Sequence, residues 1–161
     1  MRKGIKIIAI VIIIVGCIIL GTVSSGGDHS NGKIGERVEV GFLEYKVEEV
    51  LDAKELENIV LSKENNFAFL AVKVTVTNLD KESTIIDPSM FQLIEADGTV
   101  YDLLTTLELD MANRINPKLS KTGYIIFDVP SLESDYSLKV SSGFLSMGCF
   151  PVEEKLISLI N

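Results

Sequence analysis

Residues 67–78 read FAFLAVKVTVTN. Within them Ala68, Leu70, Val72, Val74 and Val76 recur at every second position, and Lys73, Thr75 and Thr77 fill the alternate ones. A period of two sends successive side chains to opposite faces of an extended chain, and Val and Thr suit a pleated surface. The stretch therefore predicts a strand with one face in a core. A half-buried strand needs a second layer to cover it, so the rest of the chain is expected to supply one. Phe67 and Phe69 fall on the face opposite the apolar one. Two readings are open for them, a surface covered by another layer or an exposed aromatic contact patch.

The same period recurs on both sides. Residues 123–130, GYIIFDVP, place Ile125, Phe127 and Val129 on one side and end at Pro130, which has no N–H to give a ladder. Residues 135–142, DYSLKVSS, alternate Tyr136, Leu138 and Val140 with Ser137, Lys139 and Ser141. Residues 91–103, FQLIEADGTVYDL, read as two short strands about Asp97-Gly98, a pair that accepts the positive φ of a tight hairpin. Residues 36–41 and 44–51 supply two more strands joined at 41–43, and the tail EEKLISLIN a last one. No crossover helix separates them. The expected fold class is all-β, an antiparallel two-sheet sandwich of about seven or eight strands.

Two stretches break the pattern. Residues 52–66, DAKELENIVLSKENN, are charged and compatible with a short helix or a loop, and residues 103–117 are ambiguous between extended and helical. Glu48, Glu49, Asp52, Glu55 and Glu57 form an acidic run in front of the first, expected to be a solvated face.

The N-terminus is set apart by composition. Residues 7–27 carry no charge, follow Arg2, Lys3 and Lys6, and precede Asp28. Twenty-one residues at 1.5 Å each span about 30 Å, the thickness of a bilayer core. The basic flank puts the N-terminus in the cytoplasm and everything after Gly27 outside. The expected organisation is a signal anchor or lipoprotein signal over residues 1–27, a flexible tether over 28–32 (DHSNG) and one β-sandwich domain over 33–161. Ile14-Val15-Gly16-Cys17 resembles a lipobox, which makes Cys17 a lipidation candidate, although Ile18, Ile19 and Leu20 follow where lipoproteins turn polar. Three outcomes stay open: an uncleaved single-pass helix, a lipid anchor on Cys17, or release by cleavage near residues 23–25.

Charge and residue counts exclude much chemistry. Without Arg2, Lys3 and Lys6 the 15 basic residues fall to 12 against 23 acidic ones, a balance of −11 that repels nucleic acid. The one histidine, His29, lies in the tether, so His-based triads and multi-imidazole zinc sites are ruled out. Met90, Met111 and Met147 are scattered and read as core filler, as does Cys149. No phosphate-cradling glycine loop and no nucleophile with its base is present. The expectation is no enzyme, no metal and no cofactor.

In the order KIGERVEVGFLEYKVEEV, FLAVKVTVTNLDKEST, FQLIEADGTVYD, INPKLSKTGYIIFDVP and YSLKVS, the chain resembles the family called domain of unknown function 4352. Its members are membrane-anchored or secreted prokaryotic proteins with an immunoglobulin-like sandwich, similar to immunoprotective extracellular antigens. The resemblance runs from Lys33 to about Ser142 and implies a fold and a location outside the cytoplasm, with no catalytic residue to transfer. One departure is Lys118 after Pro117, where the family commonly has Gly.

These readings converge on a non-catalytic extracytoplasmic binding or interaction module at a prokaryotic cell membrane. A structural accessory subunit docking on a complex in the same bilayer is the alternative. The expected partners are the membrane, through the N-terminal segment, and a protein or cell-envelope ligand. Sandwich loops carry recognition more readily than the filled interior, which singles out Glu55, Glu57, Asn65 and Asn66 with Phe67 and Phe69 as interaction candidates.

Overall fold

The computed structural model describes residues 32–57, 67–109, 114–143 and 152–160. The N-terminal segment with Cys17 and His29, and also Asn65, Asn66, Met111, Met147 and Cys149, lie outside the described residues. Within them the chain forms twelve strands: β1 Gly32–Lys33, β2 Arg37–Val40, β3 Leu43–Asp52, β4 Ala68–Asn78, β5 Thr84–Ile85, β6 Phe91–Glu95, β7 Val100–Asp102, β8 Thr105–Leu107, β9 Arg114–Ile115, β10 Ser120–Val129, β11 Tyr136–Ser141 and β12 Glu154–Ser158. Two single 3₁₀ turns, Ala53–Glu55 and Pro88–Met90, are the helical content of the described residues.

One five-stranded sheet has the order β1-β12-β11-β6-β7 and the other β2-β3-β4-β10-β8, with β5 and β9 forming a separate ribbon. The alternation of β4 works as read. Leu70, Val72, Val74 and Val76 are buried with Tyr45, Val47, Ile125, Phe127 and Val129 of the same sheet, and they meet Phe91, Leu93, Tyr136, Leu138, Val140 and Ile157 of the other. Each such side chain stabilises the fold by about 1.5–3 kcal/mol relative to exposure. The architecture is an all-β sandwich.

Three features differ from the sequence expectation. The strand count exceeds seven or eight because pieces as short as Gly32–Lys33 and Arg114–Ile115 also pair. Pairing is not wholly antiparallel, since β1 runs parallel to β12, with Gly32 opposite Ile157. Gly32 thus belongs to the sheet rather than to the tether, and a Cβ there would collide with the Val38 side chain. The Asp97-Gly98 turn does join β6 to β7, but through a three-residue loop: the Gly98 amide donates to Glu95 O, the Glu95 amide donates to Thr99 O, and only Gly98 takes a positive φ, +91°.

The register defines two ends. Asp52 lies opposite Leu70, Val129 opposite Ala68 and Glu95 opposite Tyr136, so residues 53–57, 67, 96–99, 130–135 and 159–160 gather at one end. The turns 41–42, 79–83 and 116–119 gather at the other. There Asn78, fully buried, donates from Nδ2 to Glu82 O (2.7 Å) and Ile115 O (3.0 Å) and accepts from the Asp80 amide (2.9 Å).

Candidate functional site

The end formed by residues 53–57, 130–135 and 159–160 holds a cavity of about 220 Å³. Val50 and Leu70, inward residues near this end of β3 and β4, form its floor with Tyr136 and Leu159, while Leu132 and Ile160 flank it. Glu133, Ser134 and Asp135 complete the lining. The loop that carries them is shaped locally. Pro130 ends β10, the Glu133 amide donates to Ser131 Oγ (3.1 Å), and the Ala96 amide donates to Asp135 O (3.1 Å), tying this loop to the β6–β7 turn.

Tyr136 fixes the cavity wall. Its hydroxyl donates to Ser131 O at 2.7 Å, and burial raises its phenol above the ordinary range. Its ring meets Tyr101 edge to face with centroids 6.1 Å apart. Tyr101 in turn donates to Glu95 Oε2 at 2.6 Å, and that carboxylate pushes the Tyr101 phenol up to about 12. Two aromatic rings thus hold the loops in place without closing the cavity.

Charge at this end is one-sided. Asp52, Glu55, Glu57, Glu95, Asp97, Glu133 and Asp135 stand against Lys54 alone in residues 52–57, 95–99 and 130–135. Asp52 accepts from the Lys54 amide (3.0 Å) and caps the 3₁₀ turn, and hydrogen bonds from Thr99 lower the Asp97 carboxyl. Of the other acids of this group, Glu133 and Asp135 line the cavity. The arrangement favours a ligand with an apolar group for the floor and positive charge for the rim.

The residues singled out from the sequence part company here. Glu55 and Glu57 are exposed at this end, and Phe67 is exposed at 50%. Phe69 is only 8% exposed and is corrected as a contact residue, because it packs with Ala53, Ala71 and Ile126 on the outer face of β4. The 3₁₀ turn folds Ala53 onto it, and Leu51, Leu56, Leu107 and Tyr124 seal the edge. Phe69 therefore anchors the 53–57 segment to the sheet. Glu48 and Glu49 leave the acidic run altogether. A β-bulge between Val47 and Glu49 turns both onto the outer sheet face, where Glu48 pairs with Lys46 (2.6 Å) and Glu49 with Lys73 (3.4 Å). Tyr124 donates to Glu49 at 2.7 Å, and this bond first, then Lys73, lowers the Glu49 carboxyl.

Leu132, Glu133, Ser134 and Asp135 were missed by the sequence reading. Their signal was the Pro130-bounded stretch SLESD between two strands that must return to the same end. Among the described residues no three His, Cys, Asp or Glu side chains converge as metal ligands.

The fold is shared with solved structures. The yjhA protein from Bacillus subtilis superposes with a TM-score of 0.61 at 18% identity, over 80% of this chain and 99% of that one. The secreted protein MPT63 from Mycobacterium tuberculosis gives 0.56 at 18% identity, over 83% and 98%. An uncharacterized beta-sandwich protein from Clostridium difficile 630 gives 0.55 at 14% identity, over 85% and 99%. At such identities the likeness shows the fold alone. No curated protein sequence matches the chain. The family profile of domain of unknown function DUF4352 matches residues 32–149, most of the chain and nearly all of the sandwich, and the protein belongs to that family.

Proposed function

We propose that this protein is a non-catalytic, extracytoplasmic binding module of immunoglobulin-like type, held at the cell membrane by its N-terminal segment and recognising a partner at the acidic end of the sandwich. The location is supported by the uncharged 7–27 stretch with its basic flank, and by the secreted character stated for MPT63. The immunoglobulin-like reading is supported by Tyr136, whose hydroxyl returns to the backbone five residues upstream at the start of a strand, as a tyrosine corner does.

The observation that carries the binding role is the cavity with its apolar floor of Val50, Leu70, Tyr136 and Leu159 and its Glu133 and Asp135 rim. An apolar seat surrounded by charge of one sign fits a protein or cell-envelope partner that presents an aliphatic group beside Lys, Arg or another cation. Phe67, Glu55 and Glu57 are exposed at the same end of the sandwich.

Extraction of the full chain in mild detergent and co-purification tests this reading. The partner is expected to be retained by the native chain and lost from the Glu133→Lys, Asp135→Lys double variant, with an unchanged melting temperature. A double variant that keeps its partner refutes the acidic end as the binding site. A stoichiometric integral membrane protein as that partner would favour an accessory subunit over a free binder.

A further inference from the structure

We infer that the opposite tip, carrying Phe42 and Leu119, rests on the outer surface of the bilayer that holds the N-terminal segment. The inference depends on the anchor reading above, with residues 7–27 retained as the span.

Chain direction is the first argument. β1 runs parallel to β12, with Gly32 opposite Ile157 and Lys33 opposite Ser158. The chain from Gly32 to Lys33 therefore heads toward the acidic end and away from the side of Glu153. Glu153 sits at the Phe42 tip, because its carboxylate accepts from the Gly41 amide (2.6 Å) and its carbonyl from the Ser142 amide (3.0 Å). Going back from Ile157 to Glu153 along the sheet takes four residues, about 13 Å. The five links from Gly27 to Gly32 reach at most about 17 Å. That reach exceeds the distance by about 4 Å, so a span ending at Gly27 can bring the Phe42 tip to the bilayer surface and cannot hold it far from that surface.

Surface character is the second argument. Phe42 is 63% exposed and Leu119 56% exposed, and their loops are bound side by side. The Leu79 amide donates to Phe42 O (2.8 Å), the Asn78 amide to Leu119 O (3.0 Å), and Lys118 Nζ to Leu79 O. Apolar side chains are therefore presented on a rigid tip. Charge complements them. In the turns 41–42, 79–83 and 116–119 Lys81 and Lys118 offset Asp80 and Glu82, a balance of zero, while residues 52–57, 95–99 and 130–135 at the acidic end sum to −6. Anionic headgroups repel the acidic end and tolerate the neutral, apolar tip. Aromatic and aliphatic groups at headgroup level are favoured there.

The chain has no tryptophan, so a single introduced one reports its own surroundings. Full-length Phe42→Trp and Val100→Trp variants, the latter at the acidic end and 50% exposed in the native chain, are reconstituted in phosphatidylcholine/phosphatidylglycerol vesicles bearing a headgroup spin label. Both are expected to float with the vesicles. Trp at 42 should lose emission to the spin label, and Trp at 100 should keep it. Flotation of both with equal quenching, or with none at 42, overturns the orientation and leaves the anchor standing. Disulfide-linked dimers of a Phe42→Cys variant without quenching would assign the tip to a second copy and also overturn it. Failure to float overturns the anchor and the orientation with it.

Discussion

Lys118 holds a φ of +63°, in the left-handed region that an L side chain enters at a cost of about 1–2 kcal/mol. Its amide donates to Asn78 O (2.9 Å) and its ammonium to Leu79 O, so the strained backbone ties the 116–119 turn to the end of β4. Gly relieves the strain but loosens the unfolded chain, and Ala keeps the strain while losing the ammonium. Lys118→Gly is therefore expected to be more stable than Lys118→Ala by about 0.5–1 kcal/mol in denaturant unfolding. Equal midpoints would show that the turn is not strained. On the outer sheet face the Glu49 carboxyl is lowered by the Tyr124 hydroxyl and by Lys73, and the Tyr124 phenol is raised by Glu49. A lowered carboxyl contributes stability above its unfolded value, near 4.5, and that contribution is lost as pH falls through the folded value. A raised phenol contributes below its unfolded value, 10.0, and that is lost as pH rises through the folded one. The stability difference between the native chain and Tyr124→Phe should thus be greatest near neutral pH and shrink on both sides. Carboxyl NMR should show the Glu49 midpoint rising in the variant, and an unmoved midpoint would deny the Tyr124 bond its role.

The strands were legible wherever alternation was strict, as in the second half of β4 and in β11, because one face there meets the core and the other meets water. Elsewhere other forces decide. Residues 67–72 and 124–127 are nearly continuous apolar runs, the mark of a sheet covered on both faces, and the two readings open for Phe69 could not be parted locally because its cover comes from the distant Ala53 and Leu107. The bulge that parts Glu48 and Glu49 from the other acids involves no Gly or Pro, so no turn chemistry announced it. β1 consists of Gly32 and Lys33, and its first residue was hidden in a stretch whose composition reads as linker. Its partner β12 lies beyond the family-matched part of the chain, yet Ile157 is fully buried and paired with Leu138 on one side and Gly32 on the other. Ile157→Ala should cost about 2–5 kcal/mol. A loss near zero in chemical denaturation would mean that the sandwich is complete without its last strand.

At the scale of the whole molecule, two ends of unlike character follow from one topology. The hairpin ends of β2–β3 and the 79–83 and 116–119 turns make a neutral tip with Phe42 and Leu119 exposed, while the 53–57, 96–99 and 130–135 segments make an acidic end with a cavity. The two buried sheet faces supply rigidity, and in the proposed function the N-terminal segment supplies attachment and the acidic end meets the partner. The candidate site was only half legible, since the exposure of Glu55, Glu57 and Phe67 could be read from composition, but the Leu132–Asp135 loop reaches the same end of the sandwich only after β10 and β11 fold back. The most direct measurement is photo-crosslinking in intact cells with a reactive residue placed at Asp135 or, as control, at the exposed Glu39 of β2. A discrete adduct from position 135 that disappears with Glu133→Lys, and none from position 39, is the predicted result. Adducts from position 39 alone, or in equal yield from both positions and indifferent to Glu133→Lys, would contradict recognition at the acidic end.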